Sequence, residues 1–256
     1  MFIRTVDTDL VVLAISVFNT LKELGLSELY VRYGVGRQRR DILIQDICCQ
    51  LGPRESQALP LFHANSGSDF SSFKRGIGKK TAWSAWKAMP EMIDTFIEAI
   101  EMPENLSLES PMMACFEKLT CREYSKTLNV EQVNEAREHM FTRVYRGLEN
   151  IPPTKNALYQ HVRRSLYVAA FMYKRCMNKL MELPSPGDWG WEWNPRLSIW
   201  VPYWTDLEDA SHGCHLLLSC GCQKGCTTRC KCSKSGIRCG PLCKCEGSCT
   251  NNEMYG

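Results

Sequence analysis

Cysteine is distributed unevenly along this chain of 256 residues. Ten of the fifteen cysteines lie between Cys214 and Cys249, whereas the other five are spread over the preceding two hundred residues. Within the dense segment, a Cys-x-Cys pair followed by a third cysteine occurs three times. Because zinc favours thiolate ligands, this spacing predicts a metal site. The nine predicted zinc ligands are Cys220, Cys222, Cys226, Cys230, Cys232, Cys239, Cys243, Cys245 and Cys249.

The composition of the cysteine segment and its ligand count both indicate zinc. The segment has few apolar residues beyond Ile237 and Leu242, so a hydrophobic core cannot hold it together. Structural zinc contributes on the order of 10–16 kcal/mol per ion to folding. Because each zinc takes four ligands, nine thiolates fill two separate sites and leave one thiolate over. If three sulfurs each bridge two ions, the nine supply the ligands for three ions, and we predict this three-zinc cluster.

Basic residues alternate with the cysteines, and Glu246 is the one acidic residue among them. The basic side chains would offset the negative charge of the thiolates and leave a rim for phosphates. The predicted nucleic-acid contacts of this segment are Lys224, Arg229, Lys231 and Lys234. A disulfide scaffold is the alternative, but it suits secreted proteins, and no convincing secretion signal is present. The neighbouring His212, Cys214 and His215 fit either an extra metal site or a polar turn.

The segment CGCQKGCTTRCKCSKSGIRCGPLCKCEGSC resembles the tesmin-type CXC domain, with all nine cysteine positions of that motif filled. The resemblance implies a three-zinc cluster and, in several members, DNA binding in the nucleus. Related zinc-thiolate folds also lie beside histone-methyltransferase domains, where their role is structural. DNA-binding members often carry two such units and a tyrosine near the first cysteines. This chain has one unit, with Thr227 and Thr228 in that region.

Carboxylates and glycines in the first ninety residues suggest a second kind of chemistry. Asp7 and Asp9 lie on the same side of a predicted strand, where two carboxylates can hold Mg²⁺ or Mn²⁺. Asp69 follows Gly67 and Ser68, and it could supply a third carboxylate. A glycine-rich hairpin before a helix could approach a phosphate through its backbone N–H groups. Its predicted contacts are Gly76, Ile77, Gly78, Lys79 and Lys80.

Taken in this order, the three features resemble the flap-endonuclease (XPG/PIN-like) family over roughly Thr5 to Met89. The resemblance implies that the aspartates bind metals which drive phosphodiester hydrolysis and that the hairpin grips a duplex backbone. The family places further acidic ligands and strands before the first aspartates, but only six residues precede Asp7 here. We therefore expect a truncated, inactive copy, because three carboxylates do not fix two ions. Together with the CXC segment, this half resembles proteins derived from mobile elements.

Hydrophobic periodicity predicts the elements that position these residues. Apolar runs predict a buried strand and two shorter strands of a partial parallel sheet, together with intervening helices. Longer periodic segments predict a mainly helical region after this sheet. The fold class is therefore a partial α/β, PIN-like sheet, then a mainly α-helical region, then a small irregular zinc-cluster module. The predicted strands are Leu10–Ile15, Glu28–Arg32 and Asp41–Ile44, and the later helices are 106–128, 130–148 and 155–181.

Composition divides the chain into four predicted regions. A nuclease-like region spans 1–100, with a helix-hairpin-helix at about 64–89, and a helical region spans 101–183. A linker rich in Trp and Pro follows at 184–210, and the zinc module occupies 211–256. The linker tryptophans form either a stacking surface for bases or peptides or an arm that buries its indoles against the helices.

Three functional hypotheses follow from the sequence. The first is a nuclear protein that binds DNA or chromatin through its zinc module. The second is a Mg²⁺-dependent, structure-specific endonuclease, and the third is a structural zinc module for protein interaction. No apolar run approaches the ~20 residues of a membrane helix, so we expect a soluble, intracellular protein without a membrane partner. The net charge of +3 is too small to define a partner.

Overall fold

The chain is represented by a computed structural model, which describes most of its length. None of its described helices is long and apolar enough to cross a membrane. The predictions for Lys224, Thr228, His212, Cys214 and His215 fall outside the described residues. The described residues are 1–142, 146–203, 205, 219–223, 226–227, 229–234, 237–240, 242–249 and 251.

A three-stranded sheet lies at the amino-terminal end of the fold. Strand β1 (Phe2–Thr5) pairs in parallel with β2 (Tyr30–Tyr33), and β2 pairs antiparallel with β3 (Arg40–Leu43). The Arg32 guanidinium binds the Asp41 carboxylate across the antiparallel pair, with a shortest distance of 2.7 Å. The second and third predicted strands are thus confirmed. The prediction of a wholly parallel sheet is wrong, because β3 follows β2 through a short connection that reverses the chain.

The predicted strand Leu10–Ile15 is wrong, because these residues belong to helix α1 (Thr8–Glu23). An apolar run of this length fits a buried strand or a buried helix equally well. The Asp7 carboxylate settles the choice locally, since it accepts a hydrogen bond from the Asp9 backbone N–H at 2.8 Å and caps the helix. Asp7 and Asp9 therefore stand just after a strand, at the carboxyl end of β1, and not at the start of one.

Helices make up most of the remaining fold. The predicted helices 106–128 and 130–148 are shorter in the structure, because Ser110 caps the first at its start and Ser125 ends it. The last long helix begins after Thr154, whose side chain accepts a hydrogen bond from the Ala157 backbone N–H, and it continues into a π-helical segment, Tyr167–Met172. The helices are α2 (Ile44–Leu51), α3 (Pro53–Asn65), α4 (Lys79–Lys87), α5 (Glu91–Glu101), α6 (Pro111–Tyr124), α7 (Val133–Thr142) and α8 (Lys155–Leu166).

A single hydrophobic core joins the sheet region to the helices that follow it. Phe62, Trp86, Phe96 and Phe116 form a chain of stacked rings from α3 to α6, with centroids 4.9, 6.0 and 5.4 Å apart. Stacked aromatic pairs of this kind stabilise beyond the area that they bury, by about 0.5–1.5 kcal/mol each. The predicted nuclease-like and helical regions thus share one core.

The segment rich in tryptophan forms a hairpin of strands β4 (Trp191–Asn194) and β5 (Ile199–Pro202). The buried Arg164 guanidinium of α8 anchors its base, donating to the Gly190 carbonyl oxygen at 3.0 Å and the Tyr203 carbonyl oxygen at 3.2 Å. Trp193 and Trp200 pack edge to face and remain 51% and 39% exposed. The prediction that this arm buries its indoles is therefore wrong for Trp193 and Trp200, whereas Trp189 packs against the helical core.

Candidate metal centre and acidic cleft

The sulfur atoms of the cysteine module are spaced as a zinc-thiolate site requires. Pairs of Sγ atoms lie 3.6–3.9 Å apart, including Cys226 to Cys239 at 3.6 Å and Cys220 to Cys239 at 3.9 Å. Four sulfurs placed tetrahedrally about one zinc, each at ~2.3 Å, are separated by about 3.8 Å. A disulfide would need about 2.0 Å, and all the described cysteines are free. The disulfide alternative is therefore wrong for the described cysteines, and the module can hold zinc.

The possible metal-binding sets within the module overlap. Each set holds four Sγ atoms that all lie within 4.8 Å of one another. Cys220 belongs to all three sets, whereas Cys226, Cys230 and Cys239 each belong to two. A thiolate that bridges two zinc ions is a ligand of both, so it belongs to more than one set. Separate zinc sites have no ligand in common. The sets are Cys220, Cys226, Cys239 and Cys245; Cys220, Cys230, Cys232 and Cys239; and Cys220, Cys222, Cys226 and Cys230.

The two remaining cysteines extend the same cluster. The Cys243 Sγ atom lies 3.6 Å from that of Cys232, and the Cys249 Sγ atom lies 3.7 Å from that of Cys245. The Cys220 backbone N–H also donates to the Cys243 sulfur at 3.4 Å. All nine cysteines named from the spacing are thus brought into one contiguous group of sulfurs.

Backbone contacts hold the three cysteine repeats together in place of an apolar core. The Lys244 N–H donates to the Cys220 carbonyl oxygen at 3.0 Å and thereby joins the third repeat to the first. The Asn251 side-chain amide donates to the Ile237 carbonyl oxygen at 2.8 Å and to the Cys239 sulfur at 3.4 Å. A hydrogen bond from the Gly247 backbone N–H outweighs burial and lowers the pKa of Cys245 to about 7, whereas burial raises the pKa of Cys220 to about 11.

The module contacts the helical region through an apolar side chain. Ile237 packs against a small cluster formed by Met140 and Phe141 of α7 together with Ile151.

Of the predicted nucleic-acid contacts, Arg229 is exposed, and Lys231 and Lys234 are exposed on the short helix α9 (Lys231–Lys234). Among the described residues from 219 to 251, Glu246 is the one acidic residue.

A cleft of about 380 Å³ lies beside α1 and α3, where α4 begins. Asp9 and Asp69 both line it, and Asp9 is buried whereas Asp69 is exposed. Burial, followed by the Asp9 carboxylate as a hydrogen-bond partner and by the negative charges of Asp9, Asp7 and Asp69, raises the pKa of Tyr173 well above its ordinary value. Of the three predicted aspartates, Asp9 is the one that contacts this buried tyrosine. The three aspartates do not meet in one ligand shell, since the sets of metal-binding side chains that converge among the described residues consist of cysteines alone.

His63 is the residue of this cleft that the sequence analysis missed. Its Nε2 atom lies 2.7 Å from Asp9 Oδ1, and its Nδ1 atom lies 3.2 Å from the Lys79 ammonium. Burial, with Lys79 as a further cause, lowers the pKa of His63, so this imidazole is neutral near pH 7. A histidine inside the apolar stretch Ala58–Ala64 was the available signal, because a buried imidazole needs polar partners.

The glycine-rich hairpin leads into a helix at Lys79, as the sequence predicts, and its contact with a phosphate stays a prediction. Gly76 has a positive φ of 78°, Gly78 is the residue before α4, and Ile77 is buried in the core. The Lys79 ammonium binds the Gly67 carbonyl oxygen at 2.6 Å and the Ser66 hydroxyl at 3.1 Å. The Lys79 ammonium is therefore hydrogen-bonded to the preceding loop, and both Lys79 and Lys80 are exposed.

Comparison with protein-family models, with curated proteins and with solved structures finds no match to this chain. The resemblances to CXC domains and to PIN-like nucleases therefore stay predictions from the motifs.

Proposed function

We propose that this protein is a nuclear zinc-cluster protein that binds DNA, alone or in chromatin, through its cysteine module. The observation that carries the proposal is the group of shared sulfurs, in which Cys220 belongs to every possible metal-binding set. A module so poor in apolar residues needs bound metal to fold, so its surface is set by the cluster. That surface is the part of the module available to a partner.

Three zinc ions account best for the ligand arrangement. Two separate four-ligand sites would share no cysteine, whereas each pair of sets here has two cysteines in common. If three ions share three bridging sulfurs, all nine cysteines are metal ligands. The overlap of the sets supports shared sulfurs, and the number of three ions rests on the count of nine cysteines, of which Cys243 and Cys249 lie outside the three sets.

The charges of the module favour a polyanionic partner. Arg229, Lys231 and Lys234 are exposed on its surface, and Lys244 is exposed on the segment that follows Cys243. Basic side chains that neutralise phosphates release counterions from DNA, which gives binding that weakens as salt increases. The zinc module thus combines a shape fixed by the metal with a basic surface.

Charge reversal at Lys231 and Lys234 tests the DNA-binding proposal. We expect the Lys231→Glu/Lys234→Glu variant to bind duplex DNA at least tenfold more weakly at moderate salt. We also expect the slope of log K against log salt to become shallower by about 2, because each lost phosphate contact contributes about 0.9. Fluorescence anisotropy over a range of salt concentrations measures both quantities.

A matched control reverses the exposed charges of Arg37 and Arg39, far along the chain from the module. The Arg37→Glu/Arg39→Glu variant changes the net charge equally and is expected to retain most of the affinity. Equal losses in both variants, or no DNA binding by the zinc-loaded protein, would contradict the proposal. An absence of DNA binding would favour a structural role, in which the packing of Ile237 holds the module against α7.

A second candidate function is supported by one atom in the acidic cleft. Within the described residues, Asp9 Oδ2 is buried without a well-aligned hydrogen bond, and so is the nearby Tyr173 hydroxyl, which interacts with the Asp9 carboxylate. A buried carboxylate oxygen without a partner is costly unless a cation or a hydrogen bond compensates it. Hard divalent cations such as Mg²⁺ and Mn²⁺ prefer oxygen ligands of this type. We therefore propose one divalent-cation site at Asp9, with Asp7 and Asp69 nearby.

Phosphodiester hydrolysis by two metals needs more metal ligands than the described residues of this cleft supply. It requires two ions about 3.5–4 Å apart, each fixed by its own ligands. The described carboxylates do not form two such ligand shells. The proposal for the cleft is consequently cation binding and not nuclease activity.

Mn²⁺ binding by the zinc-loaded full chain tests the cleft. We expect Asp9→Asn to weaken Mn²⁺ binding at least tenfold, because the substitution removes the charge that holds the ion. Isothermal titration calorimetry measures the change, and Asp46→Asn, at an exposed position of α2, serves as the control. Equal Mn²⁺ affinity in the wild type and in Asp9→Asn would contradict the site.

A further inference from the structure

Ile237 joins the zinc module to the helical region, where it packs on Met140, Phe141 and Ile151, here called the docking patch. We propose that Ile237 is a zinc-dependent latch: bound zinc holds the Ile237 side chain on the docking patch, and loss of zinc releases the module and exposes the patch. This inference rests on the zinc cluster proposed above and does not depend on DNA binding.

The backbone of Ile237 is tied to two segments that carry predicted zinc ligands. Its N–H donates to the Cys232 carbonyl oxygen at 3.0 Å, and its carbonyl oxygen accepts from the Asn251 side-chain amide at 2.8 Å. That amide also lies 3.4 Å from the Cys239 sulfur. Cys232 and Cys239 belong to one set of four sulfurs that can hold a metal ion. A zinc ion in this set therefore holds in place both cysteines on which the position of Ile237 depends.

The docking patch needs a cover because it is apolar and small. Met140, Phe141 and Ile151 are buried, and they form a cluster of their own around the C-terminal end of α7. Tyr124 and Ile237 are among the partly buried side chains that pack on this cluster. In so small a cluster, each neighbouring side chain excludes a large share of the water. Removal of Ile237 therefore exposes apolar surface to water, which is unfavourable.

Zinc, and not apolar packing, holds the module in shape. The hydrophobic cluster inside the described part of the module consists of cysteines alone, and Leu242 is 61% exposed. The burial of one isoleucine side chain does not offset the conformational entropy that is lost when the whole segment is ordered. Bound zinc is therefore required for the contact of Ile237 with the docking patch. By thermodynamic linkage, the same contact stabilises the zinc-loaded form.

Hydrogen exchange at the Met140 and Phe141 amides of the full chain tests the latch. We expect chelation of zinc to raise the exchange rate of these amides about 3–10-fold, because half-burial of an isoleucine shifts a local opening equilibrium by about that factor. Ile237→Ala should show the raised rate already with zinc bound, and chelation should then add little to it.

Leu242→Ala is the matched control, because Leu242 is the exposed apolar residue of the module and does not belong to the cluster that Ile237 joins. That variant should respond to chelation as the wild type does. Both variants keep the nine predicted zinc ligands, and alanine keeps the backbone hydrogen bonds of residue 237. Native mass spectrometry should therefore find as much zinc in each variant as in the wild type.

Unchanged exchange at Met140 and Phe141 after chelation of the wild type would overturn the latch. An equal rise in the wild type and in Ile237→Ala would also overturn it, since the effect would then not pass through Ile237. A full chain that takes up no zinc would refute the cluster itself. A zinc-loaded chain that shows the latch and binds no DNA would refute the DNA-binding proposal and leave the latch standing.

Discussion

Replacing Cys220 with serine is expected to remove more zinc from this protein than the loss of any other cysteine. The wild-type chain should carry three zinc ions, and Cys220→Ser should lose at least about two of them. The reason is geometric, since Cys220 belongs to all three overlapping sets of sulfurs, whereas Cys222, Cys232 and Cys245 each belong to one. A serine hydroxyl is a poor substitute for a thiolate that bridges two metals.

Native mass spectrometry of the full chain under reducing conditions measures the bound zinc directly. Cys176→Ser is the matched control, because Cys176 is exposed and free and precedes the cluster by more than forty residues in the sequence. That variant should keep all three ions. A wild-type protein that is folded without metal, or that forms disulfides among these cysteines, would contradict the cluster.

Zinc loss should also unfold the module. Its buried residues are almost all cysteines, so without metal the nine sulfurs have no apolar interior to replace the lost bonds. Metal binding on the order of 10–16 kcal/mol per ion exceeds the total stability of many small domains. Chelation followed by hydrogen exchange should therefore show loss of protection from Cys220 to Asn251, while the aromatic core from Phe62 to Phe116 keeps its protection.

Neutralising Glu123 is expected to destabilise the helical core by about 3–5 kcal/mol, because it leaves a buried ammonium without its counterion. Glu123 of α6 lies 2.8 Å from the Lys74 ammonium, and the two side chains are only 2% and 4% exposed. Their alignment is too poor for a good hydrogen bond, so charge holds the pair together. Burial, followed by the Lys74 charge, lowers the pKa of His161 to about 3, so this neutral imidazole cannot replace the lost carboxylate.

Urea unfolding of Glu123→Gln measures the effect. Glu131→Gln is the matched control, because Glu131 pairs with Lys118 at 3.0 Å on the surface, where the two side chains are 70% and 45% exposed. Surface pairs contribute at most about 1 kcal/mol, so this control should unfold close to the wild type. Removing both buried charges together, in Lys74→Met/Glu123→Leu, should recover most of the lost stability. A Glu123→Gln variant as stable as the control would contradict this account.

The cysteine module was the part of the site most open to prediction from the sequence. Its ligands lie within thirty residues of one another. Because zinc binds four ligands, the number of cysteines limits how the ligands can be arranged around the ions. The absence of disulfides among the described cysteines, the grouping of all nine sulfurs and the scarcity of apolar residues agree with a zinc-thiolate cluster. The number of ions remains a prediction.

The secondary structure was predictable where local signals agreed. Apolar runs predict strands β2 and β3, and a periodic segment predicts the helix that begins at Lys155. The run Leu10–Ile15 was mistaken for a strand, because its residues are apolar on every side and carry no period. The cap at Asp7 was in the sequence, but two aspartates in a DxD pattern fit a strand end as well as a helix start.

The sequence by itself determined which side chains could bind metal, and tertiary structure decided which of them meet. Asp9 and His63 are 54 residues apart, and they touch because α1 packs on α3. Lys79 joins them because the loop after α3 folds back on that helix, an arrangement that no local pattern encodes. The cysteine ligands needed no such packing to be recognised, because the metal supplies the energy that brings them together. The acidic cleft depends on contacts between distant elements, and these form only when the hydrophobic core does.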